Sequence, residues 1–323
     1  MSISIVTGAA GFIGSHLTEQ LLQMGENVVG IDNFDPWYDP KTKEANIRSA
    51  AKNESFSLFR ENILSLDLTE ILEPGDVIYH LAARPGVQDS WGTGFTASVE
   101  NNVLATQKVF ESALQCGVRR VVFASSSSVY GASATDDTKS VAPISPYGVS
   151  KAACEQLADV YRSRGLDIVA MRYFTVYGPR QRPDMAMNRL FRAALPGVFR
   201  FPLRGNGSQR REFTYVKDVV DATIRAGNPN IEEVSRPFDV GGGISASLGE
   251  VMSLVEEITG NTLRIDHEPS AAGDPLITVA SNDFTETTLG WKASTGLRDS
   301  LYAHYESVKE AVSSSLGEEI IFD

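Results

Sequence analysis

Residues 2–32 read SISIVTGAAGFIGSHLTEQLLQMGENVVGID, and this stretch decides the fold. A short apolar run typical of a buried strand leads into a glycine-rich turn, and leucines at helical spacing then precede a second apolar run. The order strand, helix, strand is the opening unit of a doubly wound parallel sheet. We therefore predict an α/β fold from this segment.

The turn after the first strand contains the glycines Gly8, Gly11 and Gly14. Glycines at this place allow a tight turn and let backbone amides at a helix N-terminus approach a pyrophosphate. An acidic residue, Asp32, ends the second strand 18 residues after Gly14. Because a carboxylate there accepts hydrogen bonds from the adenine ribose and repels a 2′-phosphate, we predict NAD rather than NADP as the cofactor.

The first half of the chain continues this alternation of strands and helices. Strands are predicted at residues 2–7, 27–32, 55–62, 76–82, 120–125 and 167–174. Crossover helices are predicted to begin near Phe12, Leu66, Thr96 and Pro146. Several strands are nearly continuous apolar runs, which is typical of strands covered on both faces.

After Gly178 the pattern changes to loops rich in proline and arginine, followed by short strands and helices. We predict a Rossmann-type doubly wound parallel sheet with a smaller C-terminal α/β substrate-binding domain. Residues 1–178 form the NAD-binding domain in this interpretation. Residues 179–323 mainly bind substrate, and some of this part returns to the first domain. Ser247 and Glu250 have the spacing of a capping box that begins a helix over residues 248–259.

Composition excludes several classes of function. The net charge of −12 argues against nucleic acid as a partner, because proteins that bind nucleic acid carry a basic surface. No apolar stretch reaches the ~18 to 20 residues of a membrane span, so we expect no membrane partner. The first residues lack the pattern of a secretory signal, and a cytoplasmic location is expected. Four histidines and two cysteines are scattered without ligand spacing, and no metal is expected.

Tyr147 and Lys151 lie four residues apart at the start of a predicted helix, so both side chains project from one face. Ser126 precedes them by 21 residues at the end of the fifth predicted strand. A lysine ammonium stabilises the phenolate of a neighbouring tyrosine, which can then act as a base, while a serine hydroxyl orients the substrate. We predict Ser126, Tyr147 and Lys151 as the catalytic set. Tyr305 and Lys309 have the same spacing but follow no strand end, and we expect them on a solvated helix face.

Several motifs together resemble those of one family: GAAGFIG, Asp32-Asn33, HLAA from His80, SSSSVYG, PYGVSK and RYFTVYGPRQRPDMA. They are similar to the extended short-chain dehydrogenases/reductases, NAD-dependent sugar-nucleotide epimerases, and most closely to UDP-glucuronate 4-epimerases. Nearly the whole chain is covered by the resemblance. It implies NAD as cofactor, a UDP-sugar as substrate and epimerisation at C4 through a 4-keto intermediate.

The resemblance also implies particular contacts. Cofactor contacts are expected from Gly8, Gly11, Phe12, Ile13, Gly14, Asp32, Asn33, Asn62, Ile63, Leu81, Ala82, Ala83, Asn101, Tyr147, Lys151 and Tyr173. Substrate contacts are expected from Pro85, Gly86, Ser126, Ser127, Ser128, Tyr147, Thr175, Arg182, Arg211 and Asp274. Arg211 is expected to pair with the diphosphate, with Arg182 as a second candidate. Ser127 and Ser128 follow the fifth predicted strand, and Thr175 follows the sixth. Their neutral hydroxyls are hypothesised to hold a sugar carboxylate.

Two departures from the family pattern bear on the substrate. Ala271 and Ala272 stand where galactose epimerases usually carry arginine, an absence that glucuronate epimerases share. The stretch from Arg84 to Gln88 differs from the Gly-Val-Arg that glucuronate epimerases commonly show. A UDP-glucuronate decarboxylase, a UDP-glucose or UDP-N-acetylglucosamine 4-epimerase, and an inactive NAD-binding regulator remain alternatives.

The family resemblance further implies a homodimer formed by helices over residues 96–115 and 147–162. Apolar residues at Val99, Val103, Phe110 and Leu114 recur at helical spacing. An intramolecular core would give the same pattern.

Overall fold

The computed structural model of the chain describes residues 3–133, 140–197, 199–228, 230–231, 236–269 and 277–319. The strands are β1 (Ser4–Thr7), β2 (Val28–Ile31), β3 (Phe56–Phe59), β4 (Val77–His80), β5 (Arg120–Ser126), β6 (Ile168–Tyr173), β7 (Val176–Tyr177), β8 (Phe201–Arg204), β9 (Arg210–Tyr215), β10 (Phe238–Val240), β11 (Ile244–Ser247), β12 (Ile265–Glu268) and β13 (Ile277–Thr278). Seven of them form a parallel sheet in the order β10-β6-β5-β4-β1-β2-β3. The predicted fold class is confirmed.

Helices cover both faces of this sheet. The helices of the described residues, of which α6, α8 and α10 lie against the smaller sheets, are α1 (Phe12–Gln23), α2 (Pro40–Ile47), α3 (Gly94–Ser98), α4 (Ala105–Cys116), α5 (Pro146–Arg162), α6 (Ala186–Ala194), α7 (Val216–Ala226), α8 (Leu248–Thr259), α9 (Asp283–Leu289) and α10 (Leu297–Glu319). A π-helical turn joins α3 to α4. Helices α1 and α7 pack together on one face, and α4 and α5 on the other.

Alternate residues of the central strands enter two separate cores. On β5, Val122 packs on the α1 face, whereas Val121 and Phe123 pack on the α4 face. All three side chains are at most 1% exposed. Burial of successive residues explains why these strands read as continuous apolar runs.

The C-terminal half builds one smaller sheet around β9, which pairs antiparallel with β11 and parallel with β7 and β13, and a separate two-stranded sheet of β8 and β12. The capping box predicted from Ser247 and Glu250 is present, and it begins α8 at Leu248 as expected. Strand β10 also lies in this half, yet it pairs with β6 in the large sheet. The domain boundary at residue 178 stays a prediction. No helix in the described ranges combines the length and the apolarity needed to cross a membrane.

The structure differs from the predicted elements in three places. The helix expected near Leu66 is one 3-10 turn, Leu68–Glu70, which Asp67 caps through the backbone amide of Thr69. Helix α2 was not predicted, and β10 was expected only as one of the short strands after Gly178, without bounds. The strand has three residues, too few for a period-two pattern, and α2 carries little apolar surface.

Candidate active site

A cleft of about 460 Å³ opens where the parallel strands end. It receives Gly8 after β1, Asp32 after β2, Leu81 after β4, Ser126 at the end of β5 and Tyr173 at the end of β6. Ligands of open parallel sheets bind at this carboxyl edge, because the loops that follow the strands converge there. The cleft is therefore the candidate active site.

The glycine turn is built for close backbone approach. Gly8 has a φ of +71°, and a Cβ atom there would lie 2.9 Å from the amide nitrogen of Ala82. A Cβ atom on Gly14 would lie 2.1 Å from the carbonyl oxygen of Gly8, so only glycine fits. Gly11, which has no side chain to cap the helix, immediately precedes α1. The first amides of α1 can therefore bind an anionic pyrophosphate.

Asp32 is 5% exposed at the edge of the cleft. Its Oδ2 accepts a hydrogen bond from the Ala10 amide at 3.1 Å, and its Oδ1 accepts one from the Phe34 amide at 2.8 Å. The Lys43 ammonium also lies 2.9 Å from Oδ1. The carboxylate therefore sits where an adenine ribose binds in Rossmann folds, and the residues present fit NAD. Lys43 was missed by sequence reasoning, because it lies on the unpredicted α2.

Helix α5 presents the predicted catalytic pair. Ser145 caps it by accepting from the Gly148 amide, and this places Tyr147 in the first turn with Lys151 one turn later. Lys151 is 5% exposed, and its ammonium donates to the carbonyl oxygen of Ala124 on β5 at 2.7 Å. Ser126 lies two residues further along that strand. All three predicted catalytic residues line the same cleft.

The π-helical turn, Val99–Leu104, carries a residue that the sequence analysis did not single out. Asn102 accepts from the Arg84 amide at 2.7 Å and donates to the Arg84 carbonyl at 3.1 Å. It also donates to the Ser150 hydroxyl on α5 at 2.9 Å. Asn102 thus fixes the loop after β4 against the helix that carries Tyr147.

Buried charged groups support the strand ends beneath the cleft. Glu155 accepts from Ser125 and forms an ion pair with Arg172, which donates to Tyr130; Tyr130 in turn donates to Asp239 on β10. Burial would lower the pKa of Arg172, but hydrogen bonds and the charge of Glu155 raise it. Burial and the Asp239 carboxylate raise the pKa of the Tyr130 phenol. This network holds β5, β6 and β10 together with fixed charges.

The substrate residues expected from the sequence separate into three groups. Those that line the cleft are Pro85, Gly86, Ser126, Ser127, Ser128, Tyr147, Thr175 and Arg182. Arg211 lies on β9, donates to the Arg210 carbonyl at 2.8 Å, and is not among the described residues that line the cleft. Asp274, with Ala271 and Ala272, lies outside the described residues.

Two arginines stack on the indole of Trp37 at the cleft. The guanidinium carbon of Arg84 is 4.2 Å from the ring centroid, and that of Arg182 is 4.9 Å from it. Each arginine also pairs with a carboxylate, Arg84 with Asp35 at 3.1 Å and Arg182 with Asp184 at 3.0 Å. The departure from the family pattern at Arg84 thus brings a cation to the cleft wall.

Every cofactor residue expected from the sequence lines this cleft: Gly8, Gly11, Phe12, Ile13, Gly14, Asp32, Asn33, Asn62, Ile63, Leu81, Ala82, Ala83, Asn101, Tyr147, Lys151 and Tyr173. No group of three or more potential metal ligands occurs among the residues that the structure describes. The second tyrosine and lysine pair lies elsewhere. Lys309 is exposed as expected for a solvated helix face, but Tyr305 is half-buried against Phe191, with ring centroids 5.6 Å apart, which corrects that expectation for the tyrosine.

The parallel sheet, the glycine turn and the serine, tyrosine and lysine set at the strand ends define a Rossmann-type dinucleotide-dependent enzyme. The chain belongs to the NAD dependent epimerase/dehydratase family, whose model matches residues 4–241. The predictions of family, NAD dependence and enzymatic class are confirmed.

Individual relatives agree over nearly the full length. The chain is 32% identical to a UDP-glucuronate 4-epimerase from Thermodesulfobacterium geofontis, over 93% of this chain and 94% of the relative. It is 41% identical to an uncharacterized UDP-glucose epimerase from Bacillus subtilis, over 92% and 95%. The crystal structure of UDP-glucuronic acid 4-epimerase from Bacillus cereus, in complex with UDP-glucuronic acid and NAD, superposes with a TM-score of 0.91 at 39% identity, covering 95% of this chain and 99% of that one.

Proposed function

We propose that this chain is an NAD-dependent UDP-sugar 4-epimerase that interconverts UDP-glucuronate and UDP-galacturonate through a 4-keto intermediate. The observation that carries the proposal is the convergence in one cleft of Ser126, Tyr147 and Lys151 with the neutral hydroxyls of Ser127, Ser128 and Thr175. The relatives named for UDP-glucuronate support the choice of sugar.

The chain's own residues supply proton transfer and orientation. Tyr147 takes the proton from the C4 hydroxyl, and Lys151 one turn away stabilises the negative charge on the phenol oxygen. Ser126 holds the reacting hydroxyl in line with the tyrosine. Bound NAD supplies hydride acceptance from C4 and hydride return. Return to the opposite face of the sugar inverts C4, so no net reductant is consumed.

The hydroxyls of Ser127, Ser128 and Thr175 can suppress a side reaction, the decarboxylation of the 4-keto intermediate. A 4-keto uronic acid is a β-keto acid, which loses carbon dioxide readily only when the C5–C6 bond is parallel to the carbonyl π system. Ser127 and Ser128 follow β5, and Thr175 follows the neighbouring β6, so the three can hold the carboxylate away from that alignment. Neutral donors do so without adding a mobile charge beside the reacting carbon.

The deciding experiment incubates purified chain with separate UDP-sugars and no added cofactor, followed by mass and NMR analysis. Unchanged mass with inverted C4 of UDP-glucuronate supports the proposal, provided no net NADH accumulates. Loss of carbon dioxide would identify a decarboxylase, and preference for UDP-glucose or UDP-N-acetylglucosamine a different epimerase. Absence of turnover with every sugar would favour an NAD-binding regulator.

We further propose a homodimer. Leu104, Val149 and Val160 are 48%, 46% and 58% exposed on the π-helical turn and α5, which supports a helical interface. Phe110 does not contribute, because it is fully buried in the chain's own core. Light scattering at micromolar concentration should give twice the chain mass, and Val160→Glu should shift the mass towards the monomer. A monomeric parent would refute this proposal. The expected cytoplasmic location stays a prediction.

A further inference from the structure

Helix α2 brings a buried cation to the cleft beside Asp32. Lys43 is 8% exposed, lies 2.9 Å from Asp32 Oδ1, and lines the cleft with that carboxylate. One turn later, Asn46 donates to the Ala10 carbonyl of the glycine turn at 3.1 Å. The helix thus contacts both the acidic residue and the turn that would hold a dinucleotide. Lysine is rarely buried unless its ammonium is paired, and Asp32 supplies that pair in the wall of the cleft.

The number of acceptor sites on Asp32 indicates a role for this lysine. A carboxylate offers about four lone-pair sites. The amides of Ala10 and Phe34 and the ammonium of Lys43 already occupy three of them. About one site is left, which can accept only one of the two hydroxyls of an adenine ribose. A second hydroxyl therefore needs another protein partner.

Lys43 has the capacity to be that partner. An ammonium carries three N–H donors, and one of them is used on Asp32. The ring of Tyr38 lies 5.6 Å from the ammonium and shields it on one side. Lys43 and Asp32 both line the cleft, and their charged groups lie 2.9 Å apart.

We propose that Lys43 is a second ribose ligand and a cofactor-specificity residue. The two hydroxyls of the adenine ribose are then recognised by the Asp32 carboxylate and the Lys43 ammonium together. This rests on the proposed function only in taking NAD as the cofactor. Asp32 accepts from one hydroxyl, and Lys43 donates to the oxygen of the other. The lysine charge also reduces the repulsion that Asp32 exerts on a 2′-phosphate. Lys43 thus tightens NAD retention and leaves a residual affinity for NADP.

The test measures the NAD that copurifies with each chain after acid release, and the half-time of NAD loss on dilution. Lys43→Met should shorten this half-time at least tenfold, and Lys43→Gln should do the same, because its shorter amide reaches Asp32 but not the ribose. Lys43→Arg should stay within about threefold of the parent, since it keeps the charge and its donors. Lys41→Met, two positions earlier and exposed, is the matched control and should not change retention.

Added NADP gives a second readout. With both cofactors present at equal concentration, the ratio of bound NADP to bound NAD should be higher for the parent than for Lys43→Gln, because the glutamine leaves the Asp32 charge uncompensated. If both neutral variants keep NAD as long as the parent, Lys43 is a structural ion-pair partner and the proposal is wrong. If the parent itself carries and binds no NAD, the cofactor assignment of the proposed function fails instead. If Lys43→Met does not fold, Lys43→Gln alone tests NAD retention.

Discussion

Arg172 on β6 donates from Nε and Nη2 to the two carboxylate oxygens of Glu155 on α5, at 2.8 and 2.5 Å. The side chains of this pair are 11% and 8% exposed. Glu155 also accepts from Ser125, the neighbour of Ser126, at 2.5 Å. Glu155 therefore connects the helix that carries Tyr147 with β6 and with the end of β5, where the predicted catalytic serine Ser126 lies.

Removing one member of this pair should destabilise the fold strongly. Arg172→Met leaves Glu155 as an uncompensated buried charge, which typically costs about 3 to 5 kcal/mol. Urea unfolding measures the loss. Arg200→Met is the control, because Arg200 pairs with Asp266 at 2.7 Å with both side chains more than half exposed. Such exposed pairs contribute about 0 to 1 kcal/mol. Equal losses in the two variants would show that the buried pair does not stabilise the fold.

The proposed role of Tyr147 as the catalytic base is tested by removing its phenol oxygen. Tyr147→Phe should lower turnover by ~10²- to 10⁴-fold while copurified NAD stays at the parental level, because proton transfer by a positioned group contributes that much. Tyr305→Phe is the control, since Tyr305 has a lysine four residues later but lies against Phe191 away from the cleft. Turnover numbers from NMR give the comparison. Similar activities in the two variants would mean that Tyr147 is not the base.

Many residues of the cofactor cleft could be predicted from the sequence. The glycine turn, Asp32 and the pair of Tyr147 with Lys151 depend on short-range spacing, and the structure brings all of them to one cleft. Contacts that depend on how separate elements pack together could not be read in this way. Lys43 reaches Asp32 from a helix with little apolar pattern, and residues 155 and 239 join one network across 84 positions of sequence.

The expectation that Arg211 pairs with the diphosphate stays a prediction. A basic residue in a motif indicates an anion contact, but its direction depends on the strand register. β9 pairs with both β11 and β13, and Arg211 lies opposite Ala246 in the first pairing. Among the described residues, the cleft is lined by Arg182, which was the second predicted candidate, and by Arg84, which was not predicted as a substrate contact.

Acid should destabilise the fold through buried neutral histidines. Burial lowers the pKa of His16 to about 4, and those of His80 and His304 to about 3, from the usual 6.5. Between pH 6.5 and 4 the unfolded chain binds protons that the folded chain does not. The free energy of unfolding therefore falls as the pH falls through this window, by about 1.4 kcal/mol per pH unit for each histidine.

His304 gives the clearest test, because both ring nitrogens lack a hydrogen-bond partner among the described residues. His304→Gln should reduce the loss of unfolding free energy between pH 7.5 and 5 by about 2 kcal/mol, since glutamine does not titrate. His267→Gln, at an exposed position on β12, should leave this pH dependence nearly unchanged. Urea unfolding at the two pH values measures both. If the free energy of unfolding falls by the same amount between pH 7.5 and 5 in the parent and in His304→Gln, the lowered pKa of His304 is contradicted.

The carboxylate hypothesis predicts a change of product rather than a loss of activity. Ser127→Ala and Thr175→Val each remove one donor to the sugar carboxylate, worth about 1.5 to 3 kcal/mol for a charged partner. If that energy restrains the C5–C6 bond, each variant given UDP-glucuronate should release UDP-pentose about 10- to 100-fold faster than the parent, because 1.4 kcal/mol corresponds to a tenfold change in rate. Mass analysis separates this product from the epimer of unchanged mass.

Thr287→Val on the exposed side of α9 is the control, because its hydroxyl donates only within its own helix, to the carbonyls of Asp283 and Phe284. It should give the parental ratio of the two products. The hydroxyls that follow β5 and β6 could instead satisfy strand-end backbone groups, as the bond from the Ser128 amide to the Ser126 hydroxyl does at 3.1 Å. In that case Ser127→Ala and Thr175→Val would epimerise UDP-glucuronate with no more UDP-pentose than the parent. That outcome would place the carboxylate elsewhere in the cleft or exclude a uronic acid as the substrate.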